Sequence, residues 1–114
     1  MSTQPNIVVH FKEVEHDDAL RDHVHARCGQ LAEEFPEATH FELTVEPGVH
    51  CFDSHGHVSG KRTRAAAHAS GAERPRQAVD AVLDKLEREL RTDHDKRIFT
   101  QRRKAQQAST KQRG

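Results

Sequence analysis

Thr39-His-Phe-Glu-Leu-Thr-Val-Glu46 alternates with a period of two. Phe41, Leu43 and Val45 fall on one face, and Glu42, Thr44 and Glu46 on the other, the pattern of a strand with one side buried. Pro47-Gly48 then reads as a turn. Upstream, Ile7-Val-Val-His-Phe-Lys12 is β-branched and aromatic enough for a second strand. Between the two, Leu20, Val24, Cys28, Leu31 and Phe35 recur at helical spacing and make one apolar stripe. Asp17 or Asp18 fits as the N-cap of that helix. Pro36 ends it, because proline disfavours helical geometry in the residue before it.

Downstream of the turn, Phe52 and Val58 face the core with Ser54 and Gly56 between them. Cys51, Asp53, His55 and His57 then point outward. Ser59-Gly60-Lys61 turns the chain, and Arg62–Ala69 returns as a strand despite the poor strand propensity of alanine. After a break at Ser70-Gly71, Val79, Val82, Leu83, Leu86 and Leu90 gather within about 100° of a helical wheel. They predict an amphipathic helix from Pro75 to beyond Arg91. The order β-α-β-β-β-α predicts an α+β fold: one four-stranded sheet with both helices packed on one face. The expected division is a domain over 1–97 and a basic, flexible tail over 98–114.

With 114 residues the chain has room for one domain. It contains five Phe and neither Trp nor Tyr, so its core must come mainly from aliphatic side chains. No apolar run approaches the roughly 20 residues of a membrane span. Met1-Ser-Thr-Gln-Pro-Asn6 has no basic and apolar signal pattern. The expected location is the cytoplasm, with Cys28 and Cys51 reduced.

The formal net charge of zero hides a division. Residues 1–60 hold 3 Lys/Arg against 11 Asp/Glu, and residues 61–114 hold 15 against 7. Such asymmetry points to a polyanionic partner for the basic half, the plainer alternative being solubility alone. Lys85, Arg88 and Arg91 lie opposite the apolar stripe of the second helix, where they either meet phosphates or pair at i,i+4 as Asp84–Arg88, Lys85–Glu89 and Glu87–Arg91. Pattern alone favours the pairing. The stretch from Lys96 to Gly114 has seven Lys/Arg, among them Arg97, Arg102 and Arg103, and no acid. It is either a phosphate-binding arm or a solvated end.

The run His50-Cys-Phe-Asp-Ser-His-Gly-His57 offers zinc donors in Cys51, Asp53, His55 and His57, yet lacks the paired spacing of structural sites. His10, His40 and His68 join it only if strand pairing permits. The expectation is therefore no bound metal and no cofactor. Catalytic signatures are missing as well: no Gly-rich phosphate loop, nucleophile elbow or metalloprotease helix. Cys28 sits in the apolar stripe and reads as core. The sequence gives no reason to expect an enzyme, a small-molecule substrate or a membrane partner.

Ala19-Leu-Arg-Asp-His-Val-His-Ala-Arg-Cys-Gly-Gln-Leu31 resembles the first helix of the ribosome hibernation promoting factor and ribosome-associated inhibitor A family, also called sigma-54 modulation proteins. Ala78-Val-Asp-Ala-Val-Leu-Asp-Lys-Leu-Glu-Arg-Glu-Leu90 is similar to its second helix, and Glu46-Pro47 also fits. The resemblance covers roughly residues 6–97, in the family's short form. It implies the same β-α-β-β-β-α fold and binding to ribosomal RNA in the small-subunit channel for messenger and transfer RNA. There it would inhibit translation in idle ribosomes as a stress factor. By position it assigns Arg21 and Arg27 of the first helix, and Lys85, Arg88 and Arg91 of the second, to RNA, which favours the phosphate reading over pairing. Two departures stand out. Ala72-Glu-Arg-Pro-Arg-Gln77 lacks the family's Asp and aromatic and carries Arg74 and Arg76 instead, and the His-rich stretch 50–57 is unusual. The dimerising domain of the long form is missing, so ribosome pairing through that domain is not expected. Two readings of other classes stay open: a metal-responsive binding protein using His50–His57, and a protein-partner module using the acidic N-terminal half.

Overall fold

The computed structural model describes residues 5–113, with side chains as far as Lys96. Its elements are β1 (Asn6–Phe11), α1 (Asp18–Glu34), β2 (Ala38–Pro47), β3 (Phe52–Gly60), β4 (Thr63–Ala72) and α2 (Pro75–Arg113). The four strands form one sheet in the order β1-β2-β3-β4. β1 and β2 are parallel, a pairing that needs a crossover, and α1 supplies it. The remaining pairs are antiparallel hairpins. This is the α+β arrangement predicted from the sequence.

Local chemistry sets the ends of α1. The Asp17 carboxylate accepts from the Ala19 and Leu20 amides at 3.0 and 3.2 Å, satisfying two donors of the first turn. At the other end the Phe35 amide donates to the Leu31 carbonyl at 2.7 Å, just before Pro36 stops the helix.

One core layer lies between the sheet and the helices. Phe41, Leu43, Val45 and Val58 rise from the strands into it. The α1 stripe of Leu20, Val24, Cys28, Leu31 and Phe35 covers them from one side, and Val79, Val82, Leu83, Leu86 and Leu90 of α2 from the other. Burial of each large side chain is worth about 1.5–3 kcal/mol. α2 lies over β3 and β4, where, besides Val58 and Thr63, the buried inward residues are small: Ser54, Gly56, Ala65 and Ala69. A methyl group added at Gly56 would stand 3.1 Å from Val82 Cγ1 and from Leu43 Cγ. The alanine-rich strand therefore answers a packing demand of the close helix rather than a backbone preference. Ser54 faces this layer without penalty, because its hydroxyl donates to the Thr44 carbonyl at 2.8 Å.

Two details depart from the sequence reading. The β3–β4 turn is Lys61-Arg62, with Arg62 at φ +62, rather than Ser59-Gly60-Lys61. The break expected at Ser70-Gly71 is a bulge inside β4, which continues to Ala72. Gly71 takes φ +78 there, a conformation that costs glycine nothing.

Candidate nucleic-acid interface

The outer surface of the two helices holds Arg21, Lys85, Arg88 and Arg91 of the basic residues singled out by sequence. On α2, Lys85, Arg88 and Arg91 fan across the side opposite the core, about 100° per residue along the helix. Arg88 occupies the middle of the fan and is exposed, and its guanidinium has no hydrogen-bond or ion-pair partner among the described residues, while its carbonyl accepts from the Thr92 hydroxyl at 2.9 Å. Lys85 lies on the flank toward β4 and donates from Nζ to the His68 carbonyl at 2.7 Å. Arg91 lies on the flank toward α1 and donates from Nη2 to Glu34 Oε1 at 2.6 Å. The hydrogen bond and charge of Glu34 hold the Arg91 guanidinium above its ordinary pKa against the lowering effect of burial, and the charges of Glu87 and Asp95 add less.

Of the three intrahelical pairs read from spacing, Glu87–Arg91 is present at 3.9 Å. Asp84–Arg88 and Lys85–Glu89 do not form, because neighbouring elements take their acids. Asp84 accepts from Arg27 of α1, and Glu89 accepts from the Ala66 amide on β4.

On α1, Arg21 is about half exposed and approaches Asp18 at 3.9 Å. Arg27 is drawn into the seam between the helices, with Nη2 3.0 Å from Asp84 and Nη1 3.4 Å from Asp80. Burial lowers its pKa, and the hydrogen bonds and charges of Asp84 and Asp80 more than offset this, leaving it above the ordinary value. His23 Nε2 contacts the same Asp80 at 2.6 Å. The side chains of Arg97, Arg102 and Arg103 lie outside the described residues.

Sequence reasoning missed the ties that cross this seam, and nothing in linear spacing signals them. It also passed over Arg62 in the β3–β4 turn and Arg64 at the start of β4, both exposed. The excess of basic residues after residue 60 is the signal that could have found them.

Cys28 is fully buried, and burial pushes its thiol up to about 12, with the Arg27 charge pulling the other way. That environment suits a core residue and suppresses the thiolate. The four donors of the His-rich stretch do not converge. Cys51 pairs with Asp53 at 3.7 Å, while His55 and His57 turn to Glu46 and Glu42. Among the described residues no helix is long and apolar enough to cross a membrane.

Solved structures share this architecture. A ribosomal subunit interface protein from Coxiella burnetii matches with a TM-score of 0.70 at 17% identity, over 79% of this chain and 98% of that one. The N-terminal domain of Thermus thermophilus Protein Y matches with a TM-score of 0.63 at 16% identity, over 76% and 94%. At such identity the likeness concerns the fold. No curated protein sequence matches. The family model described as sigma 54 modulation protein / S30EA ribosomal protein matches residues 7–98, a span that takes in the four strands but for Asn6, α1, and α2 as far as residue 98. The chain therefore belongs to the sigma 54 modulation protein / S30EA ribosomal protein family.

Proposed function

We propose that the protein is a non-catalytic ribosome-associated factor of the cytoplasm. It binds small-subunit ribosomal RNA in the channel for messenger and transfer RNA and inhibits translation in idle ribosomes. The family is described as one of ribosomal proteins, and the Coxiella relative as a ribosomal subunit interface protein. The observation that carries the reading to this chain is Arg88. It is an exposed guanidinium at the centre of the outward face of α2, with no acid claiming it among the described residues. Arg21 on α1 is a further exposed cation, the sequence after residue 97 adds basic charge without any acid, and phosphate contacts supply affinity while shape supplies location. In this reading the folded domain ends near residue 97 and the basic stretch 98–114 is an accessory arm.

The test is sedimentation of the full chain with purified small subunits across a salt series. The expected result is co-sedimentation whose affinity falls linearly in log–log form with salt. A protein that stays in the supernatant even at low salt overturns the proposal.

A further inference from the structure

Strand pairing gathers histidines on the sheet face away from the helices. His10 lies opposite Thr44, Thr44 opposite His55, and His55 opposite His68, while His57 lies opposite Glu42. Paired residues share a face, so these side chains and His40 all point to solvent together. Glu42 is at the centre. His57 Nε2 stands 3.1 Å and His40 Nε2 3.5 Å from its Oε2, and His10 Nε2 stands 2.9 Å from its Oε1. The donor atoms of His40, Glu42 and His57 all lie within 4.8 Å of one another.

The geometry points to a divalent transition-metal site formed by His40, Glu42 and His57, with zinc as the fitting ion. A tetrahedral ion with bonds of 2.0–2.1 Å separates its ligand atoms by about 3.3 Å. The two distances to Glu42 Oε2 bracket that value. Two imidazoles and one carboxylate suit zinc and exclude magnesium and calcium, which take oxygen shells. The fourth position is left to water, as in zinc sites with three protein ligands.

The surroundings supply what such a site needs around it. His10 bonds the second carboxylate oxygen and fixes the orientation of Glu42. The Asn6 amide nitrogen is 2.9 Å from His40 Nδ1. A metal on His40 Nε2 moves that ring's proton to Nδ1, and a half-turn of the Asn6 amide then presents its oxygen to accept it. Linear spacing carries no such motif, because His57 reaches the other two only through the antiparallel register of β2 and β3. That is why the sequence alone argued for no metal.

The test is calorimetric titration of the chelator-treated full chain with Zn2+. The expected result is one ion per chain, with affinity weakened at least about tenfold by Glu42→Gln and by His57→Ala, and similarly by His10→Ala. His25→Ala, on α1, should leave it unchanged, and Mg2+ should give no saturable binding. Independently of any variant, Zn2+ should move the imidazole resonances of His40 and His57 in the wild-type protein and spare those of His25. No saturable Zn2+ binding, binding that persists in both Glu42→Gln and His57→Ala, or binding lost instead in Cys51→Ala overturns the site.

Discussion

Arg27 Nη2 lies 3.0 Å from Asp84 Oδ1 across the seam between α1 and α2, and the two residues are 57 apart in sequence. The same offset of 57 recurs at His23–Asp80, Glu34–Arg91 and Glu37–His94. For the three pairs that join the helices, a constant offset means that α1 and α2 run parallel and climb together, and Glu37, just past the end of α1, continues the series. This ladder engages Arg27 and Arg91, two cations that the family resemblance assigns to RNA. A phosphate approaching either must compete with a carboxylate already in place.

The ladder should be measurable as coupling. Arg27 is a quarter exposed and Asp84 more than half, so solvent screens the pair. A double-mutant cycle of Arg27→Ala and Asp84→Ala, read by urea unfolding, should give about 0.5–1 kcal/mol. Arg27→Ala alone should lose more than the coupling, because it also leaves Asp80. Zero coupling would remove the seam pair from the account of stability.

Two glycines should respond differently to alanine. A methyl at Gly60 would stand 1.9 Å from the Glu37 carbonyl oxygen, a backbone atom that cannot turn aside. Gly60→Ala should therefore lose at least about 2 kcal/mol in thermal or urea unfolding. At Gly56 the nearest atoms are side-chain carbons of Leu43 and Val82 at 3.1 Å, with the Glu42 carbonyl oxygen at 3.2 Å, and the loss should be nearer about 1 kcal/mol. Equal effects would mean that the β2–β3 contact near Glu37 yields more readily than its geometry implies.

The elements legible in the sequence are those with a clean period. β2 alternates, and the stripes of α1 and α2 repeat at helical spacing, so their buried faces were named residue by residue. β4 was only weakly legible. Its inward residues, Ala65 and Ala69, are small because α2 lies close above them, and that closeness is tertiary. Gly71 reads as a break in one dimension and acts as a bulge in two. The site was legible in the same measure. Arg88 stands opposite the stripe as the wheel requires, and Glu87–Arg91 forms as spacing suggests, but the closest partners of Lys85, Arg91 and Arg27 sit on other elements. Short-range pairing rules do not reach them.

The buried thiol gives a prediction in pH. Burial raises Cys28 from 9.0 to about 12, so the folded state keeps its proton where the unfolded chain releases it. Its contribution to stability is complete below pH 9 and declines as pH rises toward 12, by at most about 1.4 kcal/mol per unit. Wild type should therefore lose stability more steeply than Cys28→Ala over that window. Alkylation of the native protein near pH 8 should label Cys51, which is partly exposed, and reach Cys28 only after denaturant is added. Prompt labelling of Cys28 would contradict its burial.

Removal of residues 98–114 should leave the domain folded. Every core residue among those described lies at or before Leu90. Unfolding free energy should change by less than about 0.5 kcal/mol. Five Lys/Arg leave with the segment, so ribosome affinity should fall at physiological salt. Unchanged affinity would show an idle end, and a truncated chain that fails to fold would move the domain boundary toward the C-terminus.

The three cations of α2 should separate by what each already holds. Arg88→Glu removes no protein contact, so its stability should stay within about 0.5 kcal/mol of wild type. If Arg88 meets a phosphate, the slope of log affinity against log salt should shrink by about 0.7–0.9. Arg91→Ala gives up the 2.6 Å contact with Glu34, a half-exposed pair that solvent screens, and should lower stability slightly as well as lose any phosphate contact. Lys85→Met gives up the bond to the His68 carbonyl and should lose a similar amount, the low end for an exposed hydrogen bond. Changing all three to Ala should then lower stability modestly and reduce the salt slope by roughly 2–3 if every one reaches RNA. If Lys85 and Arg91 keep their protein partners in the complex, the triple variant should bind no worse than Arg88→Ala alone. Sedimentation with small subunits distinguishes the two outcomes. A triple variant that melts earlier yet binds as wild type does, with the same salt slope, removes this helix face from the mechanism.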